Sequence, residues 1–195
     1  MQKKIFIFIG KSGCGKGTQA KFLIEKLKEK KEEAYYVATG DEFRKVINQD
    51  TYTSGLIKNI VESGSFCPSF TAVMMWATAL QRDLKENEHI IIDGTPRSLS
   101  ESAVLDTLFD FYNVTPVVVY IDVGEEWAIN RLLQRGRKDD TPEGSKSRMV
   151  LFTNDIVPIL EQYKKRFEYS FYTINGEQSI EDVTKEMFEK LGLDK

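Results

Sequence analysis

A lysine set among closely spaced glycines is the most chemically distinctive feature of this sequence. Gly10, Gly13, Gly15 and Gly17 surround Lys16 directly after an apolar run. Glycines let main-chain N–H groups approach an anion closely, and the lysine adds a positive charge for the outer phosphates of a nucleotide. The spacing fits the phosphate-loop pattern G-x-x-x-x-G-K-[ST] as far as Lys16, but Gly17 occupies the Ser/Thr position. We therefore predict a phosphate-binding loop; the alternative is a glycine-rich surface turn.

A carboxylate closes a second apolar run. Asp93 follows three isoleucines at 90–92. In enzymes with a phosphate loop, an aspartate at the end of a neighbouring strand holds a magnesium ion, directly or through water. Because Gly94 and Pro96 follow, the alternative is an ordinary turn aspartate. Its pairing with a phosphate loop leads us to expect that Asp93 holds Mg²⁺.

The hydrophobic pattern predicts the elements that position these residues. Short, continuously apolar strands alternate with helices, which is typical of a parallel sheet covered on both faces. The predicted strands are 5–9, 35–38, 89–93, 117–121 and 171–174. The predicted helices are 16–31, three pieces within 41–85, 99–111, 125–134, a long region from about 148 to 167 interrupted near Pro158, and 180–191. The fold class is therefore α/β: a three-layer fold of the P-loop NTPase type with a five-stranded parallel sheet.

The ends of the strands should carry the function, because ligands in such sheets bind beyond the carboxyl ends of the strands. The segments predicted to meet there are 10–18, 39–44, 93–97 and Asp122. His89 lies at the opposite end of its strand, so we expect a structural role for it.

Length and composition narrow the classes of protein. The 195 residues fit one domain, and the net charge of −3 argues against bulk binding to nucleic acid or to anionic membranes. No apolar run is long enough for a signal peptide or a membrane span. Cys14 and Cys67 cannot supply the four ligands of a structural zinc site, and two cysteines do not indicate a disulfide scaffold. A reduced, cytoplasmic setting is the default expectation.

Four short segments carry a more specific signal: GCGKGTQ at 13–19, TGDEFR at 39–44, DGTPR at 93–97 and RLLQRG at 131–136. In this order and at these separations they resemble the successive signatures of the adenylate kinase family. The stretch 137–141 with Arg148 resembles the flanks of the short, zinc-free lid of its compact members. The resemblance extends through Pro158 and Tyr163 to the last strand, so it covers nearly the whole chain.

The resemblance implies an activity and a division of the chain. The activity is reversible, Mg²⁺-dependent transfer of a phosphoryl group from ATP to a nucleoside monophosphate, most directly AMP. The chain would be one kinase domain, with a core of 1–40, 71–136 and 148–195. An insert at about 41–70 would bind the monophosphate, and a lid at about 137–147 would close over the site. Monomer is the default, because both segments need room to move.

The resemblance also assigns roles to individual residues. The catalytic cations would be Lys16, Arg97, Arg135, Arg137 and Arg148. ATP would be bound by Gly13, Cys14, Gly15, Lys16, Gly17, Thr18 and Arg131. The monophosphate would be bound by Thr39, Gly40, Arg44, Cys67, Gly94, Arg97 and Glu101. For any single arginine the alternative is a solvated surface charge. Arg131 would either stack on the donor base or face water, and Asp139 and Asp140 would either pair with lid arginines or form a solvated acidic turn.

Departures from the family pattern concentrate at the acceptor pocket. Glu101 stands where the family usually has a glutamine that reads the adenine of AMP, and an ionised glutamate can only accept hydrogen bonds. The alternative is a helix cap, since Ser98 to Glu101 is a capping-box sequence. Cys67 and Thr95 also differ from the usual residues. The alternatives left open are CMP, UMP or GMP as acceptor, and a non-catalytic nucleotide-binding protein. Cys14 is either a small filler of the loop or a redox-sensitive thiol.

Overall fold

The computed structural model describes residues 3–137 and 140–194. Its centre is a five-stranded parallel sheet in the order β2-β3-β1-β4-β5. The strands are β1 (Lys4–Ile9), β2 (Glu33–Ala38), β3 (Glu88–Asp93), β4 (Thr115–Asp122) and β5 (Ser170–Asn175). This confirms the predicted five-stranded α/β fold, and β1 lies at the centre because its residues are apolar on both faces.

The described helices alternate with the strands. They are α1 (Lys16–Glu29), α2 (Thr39–Val46), α3 (Tyr52–Glu62), α4 (Ser69–Asp83), α5 (Leu99–Tyr112), α6 (Glu125–Arg135), α7 (Pro142–Leu151), α8 (Val157–Lys164) and α9 (Ile180–Leu191). One π-helical turn, Phe152–Ile156, joins α7 to α8. Among the residues the structure describes, no helix is long and apolar enough to cross a membrane.

The two faces of the sheet bury different residues of the same strands. Ile5 and Ile7 of β1 pack with α4, α5 and α8 on one face. Phe6 and Phe8 pack with α1, α6 and α9 on the other. This alternation is the two-residue period of a strand, and the helical cover on both sides explains why the strands are apolar throughout.

A smaller cluster holds the segment between β2 and β3 together. Phe43 of α2 and Ile57 of α3 pack against Ala72 and Met75 of α4. This cluster is separate from the two sheet-face cores, so α2 and α3 rest on α4 as an appended helical unit. Helices α2 and α3 overlap the stretch of about 41–70 in which the insert is predicted, and its role as an insert stays a prediction.

The helical region after α6 begins earlier than the predicted start at about residue 148. Helix α7 begins at Pro142, where the Thr141 hydroxyl accepts a hydrogen bond from the Gly144 N–H at 3.0 Å. This is a standard N-cap followed by proline in the first turn, and the many charges of the segment conceal it. The interruption of the long helical region is the π turn that immediately precedes α8, whose first turn contains Pro158.

His89 lies at the start of β3, far from the carboxyl ends of the strands. Its ring is buried, its Nδ1 accepts from the Lys4 N–H at 3.0 Å, and its Nε2 lies 2.8 Å from a Glu32 carboxylate oxygen. The ring therefore joins β1 to the turn before β2, which is the structural role expected for it.

Candidate active site

The loop between β1 and α1 is shaped by close backbone approaches. At Gly13 the backbone has φ +91°, and a Cβ there would lie 2.7 Å from the carbonyl oxygen of Ala128 in α6. Any side chain would therefore push the loop away from α6. The loop enters α1 through Gly15 in the left-handed conformation, so the helix presents its free N–H groups and positive end to the loop's concave side.

Lys16 folds back over this loop. Its ammonium donates to the Gly10 carbonyl at 2.9 Å and to the Lys11 carbonyl at 3.0 Å, and it lies 3.8 Å from Cys14 Sγ. Burial raises the pKa of the Cys14 thiol, and the nearby Lys16 only partly opposes this. A neutral thiol is a poor nucleophile, which favours the filler role of Cys14 over the redox-sensitive one.

A cavity of about 670 Å³ opens beyond the carboxyl ends of the strands. Sixteen of the eighteen residues assigned by the family resemblance line it; they are Gly13, Cys14, Gly15, Lys16, Gly17, Thr18, Gly40, Arg44, Cys67, Asp93, Gly94, Arg97, Arg131, Arg135, Arg137 and Arg148. The remaining two, Thr39 and Glu101, are 0 % and 1 % exposed and lie behind the wall. The cavity is thus strongly cationic, and its few acids include Asp41 and Asp93.

Asp93 lies across from the loop at the end of β3. Its Oδ2 accepts a hydrogen bond from the Tyr36 hydroxyl at 3.2 Å. A Cβ at Gly17 would lie 3.5 Å from the same Oδ2. Burial and the negative charge of Asp93 both raise the pKa of Tyr36, so this phenol keeps its proton.

The donor set around Asp93 fits magnesium shared with a substrate. Within the described residues there is no group of three or more His, Cys, Asp or Glu side chains that could hold a metal by themselves. Mg²⁺ commonly binds one or two carboxylates and completes its shell with water and substrate phosphates. A single carboxylate facing a phosphate loop matches that requirement.

Asp140 forms ion pairs with Arg135 at the end of α6 and with Arg148 in α7. Arg135 donates to both of its oxygens, at 2.8 and 2.7 Å, and Arg148 of α7 donates to Oδ1 at 2.9 Å. The backbone N–H of Arg137 donates a fourth hydrogen bond to Asp140, at 3.2 Å. Burial by itself would raise the pKa of Asp140, but the hydrogen bonds and charge of Arg135 outweigh it and the pKa is lowered. Asp140 therefore pairs with lid arginines as expected, whereas Asp139 lies outside the described residues.

Two arginines occupy the other side of the cavity. Arg97 donates from Nε to the Gly94 carbonyl at 2.7 Å, and its guanidinium lies 4.9 Å from the centre of the Phe66 ring. Burial lowers the Arg97 pKa, while the charges of Glu101 and Asp93 oppose that shift. Arg44 pairs with Asp41 on α2. Both guanidiniums line the cavity, so their charges are available to an anion there.

Glu101 has its hydrogen-bonding capacity taken up inside the protein. Oε2 accepts from the Arg97 N–H at 2.7 Å, and Oε1 accepts from Trp76 Nε1 at 3.2 Å and from the Thr95 hydroxyl at 3.1 Å. Its own N–H donates to the Ser98 hydroxyl, as in a capping box, although the carboxylate reaches Arg97 one residue before the cap. Glu101 thus takes part in the N-terminal cap of α5 through both its backbone N–H and its carboxylate.

Thr39 joins the same buried network rather than the cavity wall. Its hydroxyl lies 2.6 Å from the Thr95 hydroxyl. Because an ionised Glu101 only accepts, Thr95 donates to Glu101 and accepts from Thr39. The chain of hydroxyls therefore connects the start of α2 to the start of α5 beneath the side of the cavity that Arg44 and Arg97 line.

The insert and the segment after α6 touch each other across the cavity mouth. Gly64, which follows α3, has φ +75°, and a Cβ there would lie 2.8 Å from Gly144 Cα. This close contact between two backbones requires glycine at residue 64.

The pKa of Arg137 is lowered, first by burial and then by the positive charges of Arg135 and Arg44, which lie on opposite sides of the cavity mouth.

Several aromatic residues that line this cavity, among them Trp127, Tyr36 and Phe66, were not predicted from the sequence. Trp127 lines it one helical turn before Arg131, whose guanidinium lies 4.8 Å from the Trp127 ring. The four-residue spacing was a usable signal, because residues i and i+4 share a helix face. Tyr36 also lines the cavity, but a tyrosine inside a strand carries no signal of which face it occupies until the sheet is built.

The fold and the cavity together define a class. A phosphate loop at the central strand, a carboxylate on the adjacent strand and arginines from several elements characterise a P-loop phosphotransferase. The adenylate kinase family model matches residues 8–168. The chain belongs to the adenylate kinase family.

Individual relatives agree over nearly the full length. An adenylate kinase of Prochlorococcus marinus is 32% identical over 190 residues, covering 97% of this chain and 99% of the relative. Adenylate kinase 1 of a Nostoc species is 35% identical over 188 residues, covering 95% and 97%. An adenylate kinase of Oenococcus oeni is 32% identical over 184 residues, covering 92% and 94%. The similarity thus extends over nearly the whole length of each of these relatives.

Proposed function

We propose that this protein is a nucleoside monophosphate kinase that converts ATP and AMP reversibly into two ADP. The observation that carries the proposal is the convergence on one cavity of Lys16, Asp93 and the arginines of four separate segments. Phosphoryl transfer between two anionic substrates is catalysed mainly by positioning and by stabilisation of charge. The acceptor is already a phosphate anion, so no general base is required.

Different parts of the cavity bind the donor, the acceptor and the transferred phosphoryl group. The loop N–H groups and Lys16 hold the phosphates of ATP, and Trp127 with Arg131 forms a stacking surface for the donor base. Arg44 and Arg97 hold the acceptor phosphate, since guanidinium groups bind phosphate oxygens in pairs. Arg135, Arg137 and Arg148 face the phosphoryl group that is transferred and stabilise its negative charge. Asp93 would hold Mg²⁺, directly or through water, and the ion would supply positive charge that neutralises part of the negative charge of the phosphates.

Closure belongs to the same proposal. The insert at about 41–70 and the lid at about 137–147 meet at Gly64 and Gly144, and this contact is the closed arrangement. A closed site excludes water, which would otherwise accept the phosphoryl group. The protein acts as a monomer in the cytoplasm, and the insert and lid move against the sheet in each cycle.

The acceptor is AMP, because the relatives are named adenylate kinases. The contacts of Glu101 are compatible with AMP as the acceptor. With both carboxylate oxygens engaged by Arg97, Trp76 and Thr95, Glu101 supports the pocket from behind and leaves the base to be recognised by the cavity wall. The same reaction with GMP, CMP or UMP is the alternative that a direct reading of the base by Glu101 would favour.

A coupled assay of ADP formation from ATP with each of AMP, GMP, CMP and UMP tests the proposal. We expect turnover with AMP to exceed that with the other three. Turnover that is highest with another monophosphate would overturn the assignment of AMP. The absence of turnover with all four would identify a nucleotide-binding protein without kinase activity.

A matched pair of arginine variants strengthens this test. Arg148→Ala removes a cation from the cavity and should lower kcat by about 10²- to 10³-fold, the usual cost of removing one donor to a transition-state charge. Arg82→Ala is the control, because Arg82 is exposed on α4 and pairs with Asp83. Equal activity of the two variants would contradict a catalytic role for the cavity arginines.

A further inference from the structure

Tyr36 and Asp93 are brought together by the register of two parallel strands. Ala38 of β2 is paired with Asp93 of β3, and Tyr36 lies two residues earlier on the same face as Ala38. The Tyr36 ring spans this diagonal, and its hydroxyl donates to Asp93 Oδ2 at 3.2 Å. Within the described residues, Tyr36 provides the one hydrogen bond to the Asp93 carboxylate.

The same hydroxyl lies beside the exceptional position of the phosphate loop. The general loop pattern places a serine or threonine at residue 17, whose hydroxyl contacts magnesium. Here the residue is Gly17, and a Cβ built on it would lie 3.5 Å from Tyr36 Oη and 3.5 Å from Asp93 Oδ2. The tyrosine hydroxyl therefore lies next to the space that a serine or threonine side chain would occupy.

We propose that Tyr36 is the positioning residue of the magnesium site, orienting Asp93 from β2 in place of the hydroxyl that Gly17 lacks. At neutral pH a phenol carries its proton and a carboxylate only accepts, so the direction of this hydrogen bond is fixed. One carboxylate oxygen is thereby held by Tyr36, and the other is directed to the ion or to a water of its shell. Second-shell partners of this kind hold first-shell ligands in orientation.

The inference rests on the proposed function only in taking Mg²⁺·ATP as the ligand. Binding is therefore measured separately from turnover, by titration calorimetry of ATP with Mg²⁺ and of ATP with a chelator. For Tyr36→Phe we expect the affinity for Mg²⁺·ATP to fall about tenfold, as for loss of an outer-shell partner. The affinity for metal-free ATP should stay within about twofold of wild type, because Tyr36 is placed to act on the ion and not on the phosphates.

The neighbouring tyrosine is a matched control. Tyr35 points to the other face of the sheet, where its hydroxyl bonds to the Ala79 carbonyl at 3.3 Å and to Asp83 at 3.1 Å. Tyr35→Phe removes the same chemical group from the adjacent residue, yet it should leave both affinities unchanged. Tyr36→Leu also removes the hydroxyl and replaces Tyr36→Phe in the titrations if the latter does not fold.

The proposal is tested by the ratio of the affinity for Mg²⁺·ATP to the affinity for metal-free ATP. A ratio in Tyr36→Phe equal to that of wild type, whether both affinities fall or neither does, overturns the proposal. A ratio that changes equally in Tyr35→Phe overturns it as well. A wild-type protein that binds Mg²⁺·ATP but turns over no monophosphate would refute the kinase function and leave the role of Tyr36 to be judged by these titrations.

Discussion

Asp140 and Glu101 are both buried carboxylates beside the same cavity, yet their pKa values are shifted in opposite directions. Asp140 on the lid side receives hydrogen bonds from two guanidinium groups, and its pKa is lowered despite burial. Glu101 on the acceptor side receives them from neutral donors of Arg97, Thr95 and Trp76, and burial raises its pKa. Burial penalises both anions, but Glu101 is the more deeply buried, and only Asp140 receives hydrogen bonds from charged donors, so its pKa falls while that of Glu101 rises.

The two carboxylates also have different consequences for the site. Asp140 holds the side chains of Arg135 and Arg148, which line the cavity. Glu101 holds backbone and buried side chains that shape the cavity from behind. Loss of Asp140 should therefore act mainly on catalysis, and loss of the Glu101 charge mainly on stability.

Among the variants that test this comparison of the two carboxylates, Asp140→Ala should have the largest effect. Without this carboxylate Arg135 and Arg148 repel each other and lose their positions, so kcat should fall about 100-fold, the cost of misplacing catalytic groups by roughly 1 Å. Steady-state kinetics measures this loss. Glu143→Ala, at an exposed residue in the first turn of α7, is the control and should keep wild-type kcat. A kcat for Asp140→Ala close to that of the control would show that the arginines do not depend on Asp140.

The contact between the two sides gives the next prediction. Gly64→Ala adds a Cβ that meets Gly144 and forces a left-handed backbone on alanine, so it should destabilise the closed form by about 2 kcal/mol. The KM for the monophosphate should rise, as measured by the coupled assay. Gly55→Ala is the matched control, since a Cβ inside α3 meets no atom within 4 Å and should raise stability slightly. Equal KM values for the two variants would argue against closure through this contact.

The smallest expected effect is that of Glu101→Gln, and it depends on pH. The amide NH₂ must face either the Trp76 or the Arg97 N–H, which leaves a donor unpaired and should cost about 1 kcal/mol of unfolding free energy at pH 7. Because the pKa of Glu101 is raised in the folded state, the folded protein binds more protons than the unfolded one between the usual and the raised pKa. Wild type should therefore gain stability over the variant as pH falls through that interval.

Urea unfolding at several pH values measures this difference, and the preference among the four monophosphates should stay as in wild type. Glu181→Gln in the exposed first turn of α9 is the control and should show neither effect. If Glu101→Gln changes acceptor preference without loss of stability, Glu101 reads the base after all.

Much of the fold could be predicted because its strands and helices follow from the hydrophobic pattern of short stretches of sequence. The five strands were found as apolar runs, since a parallel sheet covered on both faces leaves no polar alternation. The start of α7 was missed because its cap, Thr141, stands among charged residues. Which face of the sheet Tyr35 and Tyr36 each occupy could not be predicted either, because this depends on how β2 is placed against β3.

The sequence by itself determined the phosphate loop, the order of the strands along the chain and the set of cations, because glycine spacing, hydrophobic runs and family signatures are local. The tertiary structure decided which residues meet. It placed Thr39 and Glu101 behind the cavity wall, gathered Arg135 and Arg148 on Asp140, and set Tyr36 beside Asp93 and Gly17. These contacts join segments far apart in the chain or depend on helix and strand placement, so the physical reason lies in packing and register and not in spacing along the sequence.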